Sequence, residues 1–359
     1  MRTTLVDTLV IGQGIAGTAV AWALQQRNTS FAIVDPGEKH TASAVAAGLI
    51  TPVTGTRYTV AADFESLHDI AVDFYQSIEQ RLEHTFLSQR SAWRFCYTPD
   101  EVDRFEKRAP DLVKRGVVVR ESHDRFRHAS SPFRVPRLAF SMPHAARLNT
   151  AAYLRSSRQW FHARDRLVEH RLDVSTLRYD RSDGRWGAPL LPLRARRVVF
   201  CRGHSDEANQ WLPSAKFNCA KGEILSVDID CPSIEQTVHA HKSWLCPSNE
   251  AGRYLFGATY QHAPYQPGNS RAARAHLSDR LSQLVNRPFS VVNQLWGVRP
   301  IAVQRKAIVG RHRDQPSVAW LNGLGSKGVL LAPYLADRLV DSLLTDRAFQ
   351  APLTGTHNA

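Results

Sequence analysis

Three glycines near the start of the chain have the spacing of a turn that binds a dinucleotide. Gly12, Gly14 and Gly17 form a G-x-G-x-x-G pattern after an apolar run, and Asp35 stands 18 residues after Gly17. The first glycine permits a tight turn, the second lets a pyrophosphate approach the backbone, and the third lets a helix pack on a strand. Asp35 can accept hydrogen bonds from a ribose hydroxyl, and its carboxylate would repel the 2′-phosphate of NADP. The alternative is a glycine-rich turn of an unrelated α/β protein, with Asp35 a solvated residue at a strand end.

A second group of candidate side chains lies further along the chain. Arg299 could hold a carboxylate through two parallel hydrogen bonds, because a guanidinium presents a planar fork of donors. Its alternative role is that of a salt-bridged arginine at a strand end. His239 and His241 are two residues apart and would lie on one face of a strand. Since no third ligand is evident, we predict no metal site.

The elements that must position these residues alternate between strand and helix. The apolar run 8–11, the alanine-rich stretch 15–26 and the second apolar run 30–34 predict a βαβ-type unit around the glycine turn. Alternating residues at 223–228 are typical of a half-buried strand, and three prolines within 131–144 favour an extended crossing between domains. The other predicted elements are helices over 65–90, over 101–115, from 149 and from about 328, strands near 166–170, 196–201, 307–309 and 318–321, and an antiparallel group over 222–256.

The composition is that of a folded protein in a reducing compartment. The 359 residues are 43% hydrophobic and 22% charged, and no stretch approaches the ~20 apolar residues of a membrane-spanning helix. We expect no cleaved signal, since its removal would delete the first strand. The five cysteines are scattered without C-x-x-C spacing, which favours the cytoplasm over a disulfide framework. The net charge of +13 is spread along the chain without a basic block, so the charge alone does not predict a nucleic-acid partner.

Several segments beyond the glycine turn share the pattern of one family. They are the small-residue stretch 41–50 (TASAVAAGLI), the strand end 198–203 (VVFCRG), the strands of 221–259, and a C-terminal run from 296–300 (WGVRP) to 322–333 (NGLGSKGVLLAP). With the glycine turn, these segments resemble the D-amino-acid oxidase, glycine oxidase and sarcosine oxidase superfamily of FAD-dependent enzymes, the DAO family. The Cys-Arg pair in 198–203 departs from the usual Ala-Thr or Ala-Ser, which indicates a divergent branch.

The resemblance implies FAD as cofactor and two interleaved domains. The implied fold is α/β, with a Rossmann-type FAD-binding domain interleaved with an antiparallel-sheet (α+β) substrate domain. The FAD-binding domain would comprise residues 1–56, 146–220 and 296–359. The substrate domain would comprise residues 57–145 and 221–295, of which the first part matches no family segment.

The resemblance also implies which residues contact FAD and substrate. Arg299 would hold a substrate carboxylate, with Tyr260 and Trp244 as pocket walls. Lys327 would favour the reduced, anionic flavin or its reaction with oxygen, unless it is a solvated lysine on a loop. The predicted FAD contacts are Gly12, Gly14, Ile15, Ala16, Gly17, Asp35, Pro36, Ser43, Ala46, Ala47, Gly48, Leu49, Asp173, Val174, Cys201, Arg202, Gly203, Gly297, Gly323, Leu324, Gly325, Ser326, Lys327, Gly328 and Val329.

Three functions remain open on this resemblance. The first is oxidation of a C–N bond of a small amine or amino acid to an imine, with electrons passing through FAD to oxygen or another acceptor. Ser326 stands where some relatives carry a second arginine, a departure that weakens the implied amino-acid specificity. The second is a tRNA-modification oxidoreductase acting on the side chain of a modified uridine, and the third is a flavoprotein without amino-acid oxidase activity. The sequence predicts no oligomeric state.

Overall fold

The computed structural model describes residues 3–345 except 39, 62, 213–216, 232, 233, 249 and 305, together with 347 and 349. The helices are α1 (Ile15–Gln26), α2 (Phe64–Leu82), α3 (Pro99–Glu106), α4 (Ala109–Lys114), α5 (Asp124–Arg127), α6 (Thr150–His162), α7 (Arg271–Leu284) and α8 (Gly328–Thr345). The strands are β1 (Thr4–Ile11), β2 (Phe31–Val34), β3 (Leu49–Ile50), β4 (Val53–Thr54), β5 (Thr59–Val60), β6 (Leu87–Ser88), β7 (Ala92–Cys96), β8 (Val119–Arg120), β9 (Leu138–Met142), β10 (Ala146–Leu148), β11 (Leu167–Val168), β12 (Arg178–Asp180), β13 (Arg185–Gly187), β14 (Leu193–Phe200), β15 (Ala220–Ile229), β16 (Val238–Ala240), β17 (Ser243–Pro247), β18 (Arg253–Gly257), β19 (Gln261–His262), β20 (Phe289–Arg299), β21 (Ile308–Arg311) and β22 (Val318–Asn322).

A mostly parallel sheet carries the first glycine turn. The strands β11, β2, β1, β14 and β22 run parallel in that order, while β21 is antiparallel to β22 and β13 is antiparallel to β14. The carboxyl half of β1, residues 8–11, is buried on both faces: Val10 packs toward α1 and α8, while Leu9 and Ile11 pack with Trp186 on the other side. A strand segment covered on both faces is typically apolar, as residues 9–11 are. The predicted α/β fold is confirmed.

A second, mostly antiparallel sheet forms the other half of the molecule. Its strands follow the order β19, β15, β18, β17, β16, β7, β9 and β8, and β20 pairs with the free side of β15. One face packs on α7, where Leu225 and Val227 contact Leu277 and Leu281. The opposite face carries Ile224 and faces a cavity.

The segment 57–145 contributes to both halves of the molecule. Its helix α2 packs against α8, and the Tyr75 hydroxyl donates a hydrogen bond to the Val329 carbonyl at 2.8 Å. Its strands β7, β8 and β9 belong to the antiparallel sheet. The domain boundaries implied by the resemblance stay a prediction. Within the described residues, no helix has both the length and the apolar character that crossing a membrane requires.

Two predicted helices end earlier than expected, for local reasons. The helix predicted over 65–90 ends at Leu82, because Glu83 adopts a left-handed conformation and Glu79 accepts the backbone amides of Phe86 and Leu87. The helix predicted over 101–115 is two helices, α3 and α4. Pro110 lacks the amide that a continuous helix would donate four residues back, so the helix breaks there.

Two strand predictions also require correction. The proline-containing stretch 131–144 was predicted to be irregular, but its proline-free part forms β9, which pairs with β7 and β8. The strand at 223–228 was predicted to be half-buried, but its residues 223–227 are buried. The reason lies in the tertiary structure. Helix α7 covers one face of β15, and the other face lines the internal cavity instead of facing the protein surface.

Candidate active site

A cavity of about 710 Å³ lies where the parallel strands end. One side is formed by the carboxyl ends of β1, β2, β14 and β22, and the other by β15, β16, β17, β7 and β20 of the antiparallel sheet. In open α/β sheets ligands bind at the carboxyl ends of the strands, and the volume is that of a ligand pocket. The cavity is therefore the candidate active site.

The first glycine turn lines this cavity with backbone. Gly12 has a φ of +99°, and a Cβ atom there would lie 2.6 Å from the Cys201 carbonyl oxygen. A Cβ at Gly17 would clash with the Gly12 carbonyl, so the third glycine allows α1 to approach the end of β1. Gly14 precedes α1 without a side-chain cap, and the Ile15 amide donates to Ser43 Oγ at 3.0 Å. The first turn of α1 thus presents amide donors and the positive end of its dipole to the cavity.

Asp35 connects the end of β2 to the glycine turn. Its carboxylate accepts the amides of Gln13 and Gly37, each at 2.8 Å, and pairs with Arg158 at 3.0 Å. Arg158 also pairs with Glu169 at 2.8 Å and donates to Gln13 Oε1 at 2.7 Å. The sequence interpretation missed Arg158, since it lies on α6, over a hundred positions from Asp35.

The second glycine loop is held by a buried carboxylate. Asp206 Oδ2 accepts the Arg202 amide at 3.0 Å and the Asn322 side-chain amide at 2.9 Å. Asn322 also donates to the Gly203 carbonyl at 2.9 Å, and its Oδ1 accepts the Gly323 amide at 2.8 Å. Burial raises the pKa of Asp206, while the donors around it oppose that rise. This network, also missed from the sequence, fixes the loop 202–206 against the loop before α8.

The two glycine loops meet at the same cavity from opposite ends of the chain. A Cβ at Gly328, the first residue of α8, would lie 3.1 Å from Ile15 Cγ2 at the start of α1. The Gly325 amide donates to the Pro300 carbonyl at 3.1 Å, which ties the second loop to the end of β20. Two helix N-termini are therefore side by side at one wall.

The cavity brings together most of the predicted site residues. Those that line it are Gly12, Gly14, Ile15, Ala16, Asp35, Pro36, Ser43, Ala46, Ala47, Gly48, Leu49, Cys201, Arg202, Gly203, Trp244, Tyr260, Gly297, Arg299, Leu324, Gly325, Ser326, Lys327, Gly328 and Val329.

Four predicted contacts do not line the cavity. Gly17 and Gly323 support the loops from behind, since a Cβ at Gly323 would lie 2.9 Å from Ile308 Cγ1. Asp173 turns its carboxylate to the amide and hydroxyl of Ser175, at 2.9 and 2.7 Å. Val174 packs with the apolar cluster behind the sheet, and the neighbouring Leu172 lines the cavity instead.

Among the basic side chains that line the cavity, Arg299 and Lys327 lie beside apolar and aromatic groups. The Arg299 guanidinium donates to the Thr259 carbonyl at 3.3 Å and lies 5.5 Å from the Tyr260 ring. A Cβ at Gly222 would clash with this guanidinium, so the glycine leaves room for it. Burial lowers the pKa of both Arg299 and Lys327; the Tyr260 hydroxyl partly opposes this for Arg299, and no carboxylate contributes to either shift. These cations face the cavity without a carboxylate to neutralise them among the described residues.

The imidazoles of 239–241 also reach the cavity, without forming a metal site. Burial and the neighbouring Arg94 lower the pKa of His239 to about 3, so its ring is neutral at neutral pH. In the part of the chain that the structure describes, no three histidine, cysteine or acidic side chains are grouped so as to hold a metal ion.

Comparisons with known proteins extend over nearly the whole chain. The family model DAO, FAD dependent oxidoreductase, matches residues 7–342. The tRNA 5-methylaminomethyl-2-thiouridine biosynthesis bifunctional protein of Marinobacter nauticus is 25% identical over 380 residues, which cover 93% of this chain and 55% of that protein. The chain spans about half the length of the curated relatives that match it most fully.

Solved structures share the fold at low identity. A glycine oxidase from Bacillus cereus superposes with a TM-score of 0.83 at 17% identity, covering 96% of both chains. An iminodiacetate oxidase from Chelativorans superposes with a TM-score of 0.79 at 18% identity, covering 97% of this chain and 98% of the other. These likenesses concern the architecture.

The residues around the cavity fit FAD. Gly12 and Gly14 open the backbone to a pyrophosphate, the N-termini of α1 and α8 supply amide donors, and Asp35 lies at the ribose position of the nucleotide fingerprint. A Cβ at Gly297 would lie 2.8 Å from Val45 Cγ2, so glycine lets the segment that carries Val45 pack closely against β20 at the cavity wall. With the family model matched over residues 7–342, the chain belongs to the DAO family of FAD-dependent oxidoreductases.

Proposed function

We propose that this FAD-dependent oxidoreductase oxidises a C–N bond of a small amine or amino acid that carries a carboxylate. The surroundings of Arg299 carry the proposal. Its guanidinium is part-buried, donates to one carbonyl and contacts one aromatic ring, and no carboxylate within the described residues contributes to its pKa shift. A buried cation without an anion is costly, and a substrate carboxylate would complete the site.

In the proposed reaction, Arg299 would position the substrate. Two parallel hydrogen bonds from the guanidinium would fix the carboxylate, and with it the neighbouring C–H bond, in a single orientation. FAD, when bound, supplies the acceptor for the hydride leaving the carbon next to nitrogen. Trp244 and Tyr260 line the same cavity and would exclude water around the reacting carbon.

Anaerobic reduction of the flavin by a panel of amines tests the proposal. We expect bleaching with at least one carboxylate-bearing primary or secondary amine, and weaker bleaching with the matching amine that lacks the carboxylate. Arg299→Ala should lower kcat/KM by about 10²- to 10³-fold while FAD remains bound, because a buried charge-assisted contact is lost.

The matched control is Arg253→Ala, which removes an arginine of β18 that pairs with Asp228 at 2.9 Å and does not line the cavity. Turnover by this variant should equal that of the unchanged protein. Flavin that stays oxidised across the whole panel, or full turnover by Arg299→Ala, would refute the proposal and leave a flavoprotein without amine oxidase activity.

A second candidate is a tRNA-modification oxidoreductase that acts on a carboxylate-bearing amine of a modified uridine. It is favoured by the relative from Marinobacter nauticus, whose similarity covers 93% of this chain, and is compatible with the net charge of +13. Filter binding of tRNA at increasing salt distinguishes the two, since phosphate contacts give a steep salt dependence. Binding that is absent at low salt would exclude this candidate.

A further inference from the structure

A row of side chains crosses the antiparallel sheet at one register, on the cavity side. Pairing aligns Ile224 of β15 with Gly257 of β18, and Gly257 with Trp244 of β17. It continues from Trp244 to His239 of β16, and from His239 to Arg94 of β7. Directly paired residues share a face, and the four members with side chains all line the cavity. The row therefore forms one wall of the cavity across five strands.

The two ends of this wall carry separate arginines. The Arg299 guanidinium lies over Gly222 of β15, at one end. Arg94 stands on β7. The backbone of β7 is four strand spacings from that of β15, or about 19 Å at ~4.8 Å per spacing. Trp244 lies between them, and its ring would be 3.0 Å from a Cβ at Gly257. A substrate the size of glycine, held by Arg299, would leave the Arg94 end of the cavity without a contact.

Arg94 lines the cavity, as does the nearby Glu101. Its guanidinium donates to the Gly55 carbonyl at 2.7 Å and lies 4.3 Å from the Tyr58 ring. No carboxylate among the described residues lies within ion-pair distance of Arg94. The charge of Glu101 raises the pKa of Arg94 without direct contact. Oε2 of Glu101 accepts the backbone amides of Tyr97 and Thr98. A guanidinium has five N–H donors, of which the Gly55 carbonyl occupies one.

The neighbour of Arg94 in the row strengthens the case for an oxyanion ligand. His239 Nε2 is buried and has no hydrogen-bond partner among the described residues. Such an orphan group in a folded protein calls for an explanation, and a bound ligand is one. Because the ring is neutral it can donate a single hydrogen bond, and the positive charge of Arg94 makes a cation or a metal ion an unfavourable occupant.

We propose that Arg94 and His239 form a second subsite, which binds an oxyanion at the end of the substrate remote from the reacting amine. The inference rests on the proposed function and narrows its substrate class: the substrate is an elongated amine with a carboxylate at Arg299 and a second carboxylate or phosphate at Arg94. The alternative is that Arg94 only anchors the hairpin of β4 and β5 through Gly55 and Tyr58.

Binding of two series of inhibitors tests the subsite without requiring turnover. Linear α,ω-dicarboxylates from succinate to dodecanedioate, and the monocarboxylates of the same lengths, are titrated into the FAD-loaded protein while the flavin spectrum is followed. We expect one length at which the diacid binds about tenfold more tightly than its matched monoacid, because only the diacid reaches both arginines. A parallel ω-phosphonate series distinguishes a phosphate from a carboxylate.

Three variants assign the effect to residues. Arg94→Met should raise the Kd of the best diacid to that of its monoacid, Arg94→Lys should retain part of the preference, and Arg120→Met, an exposed arginine outside the cavity, should change neither. FAD content and Tm confirm that each variant is folded.

The outcomes separate failure of the subsite from failure of the proposed function. Diacids and monoacids that bind equally at all lengths, while Arg299→Ala still weakens both, would overturn the subsite alone. A diacid preference that persists in Arg94→Met would do the same. Monoacid binding that is indifferent to Arg299→Ala, with no turnover of any amine, would overturn the proposed function instead.

Discussion

Lys327 is a single cation whose environment differs from that of a surface lysine. Burial lowers its pKa, and no acidic partner offsets that shift. It precedes α8 on the second glycine loop, beside the helix N-terminus that lines the cavity. We propose that its positive charge would favour the reduced, anionic form of bound FAD.

Replacing Lys327 with methionine should change both the rate of flavin reduction and the stability of the fold. We expect flavin reduction to slow by about 10²-fold, because a preorganised charge that would stabilise the reduced flavin is lost. Stopped-flow absorbance measures this rate. Lys114→Met, on the exposed side of α4, is the control, and an unchanged rate in Lys327→Met would remove the residue from the mechanism.

The same variant should be more stable than the parent when FAD is absent. A lysine whose pKa is lower in the folded state binds fewer protons there than in the unfolded chain. Its burial therefore destabilises the fold below the folded-state pKa, and this penalty disappears as pH rises toward the ordinary lysine value. The methionine variant should have a higher Tm at neutral pH, and the difference should shrink at alkaline pH.

At this scale the sequence predicted residues that lie within short motifs. Arg299 and Lys327 follow from the local patterns at 296–300 and 322–328. Arg94 and Asp206 were missed because their roles depend on strands and loops that are distant in the chain and adjacent only in the folded sheet.

The packing of α1 on β1 is the element-scale feature on which the nucleotide turn depends. A Cβ at Gly17 would clash with the Gly12 carbonyl, so even alanine forces the helix away from the strand end. Gly17→Ala should lower the free energy of unfolding by about 1–3 kcal/mol, typical of an overpacked contact, and weaken FAD binding. Thermal unfolding and flavin fluorescence titration measure the two effects.

Gly187→Ala is the matched control for this substitution. It adds a Cβ on β13 that meets Arg194 Cγ at 3.7 Å, an ordinary contact. Its Tm and FAD affinity should stay near those of the parent. Equal effects at both glycines would contradict the role of Gly17 in holding α1 against β1.

Elements with a strong local signal were predictable, whereas burial and helix ends were not. The helix Ile15–Gln26 and the helix starting at Gly328 match the prediction because a glycine turn marks the start of each and an apolar run follows it. The burial of β15 on both faces depends on α7, which is more than forty residues further along, and alternation alone does not reveal it.

The whole molecule is organised so that one ligand bridges distant parts of the chain. The loops 12–17 and 322–328 both line the cavity, as do strands of the antiparallel sheet. A ligand that binds only the folded arrangement stabilises it by mass action. FAD should therefore stabilise both halves of the molecule together.

Titration with FAD measures this coupling. At 100 times its Kd, FAD should raise the free energy of unfolding by about 2.7 kcal/mol, with a corresponding rise in Tm. Far-ultraviolet circular dichroism follows the secondary structure, and intrinsic tryptophan fluorescence follows tertiary packing in both sheets. A Tm that does not respond to FAD would contradict convergence of the two loops on one cofactor.

The Asp206–Asn322 contact has a consequence for the evolution of this chain. The two residues are 116 positions apart, yet each satisfies a buried polar group of the other. Substitution of only one of them would leave a buried donor or acceptor without a hydrogen-bond partner, which lowers the free energy of unfolding by about 1–3 kcal/mol. In descendants of this sequence the two positions should consequently be inherited as a pair, with changes at one accompanied by compensating changes at the other.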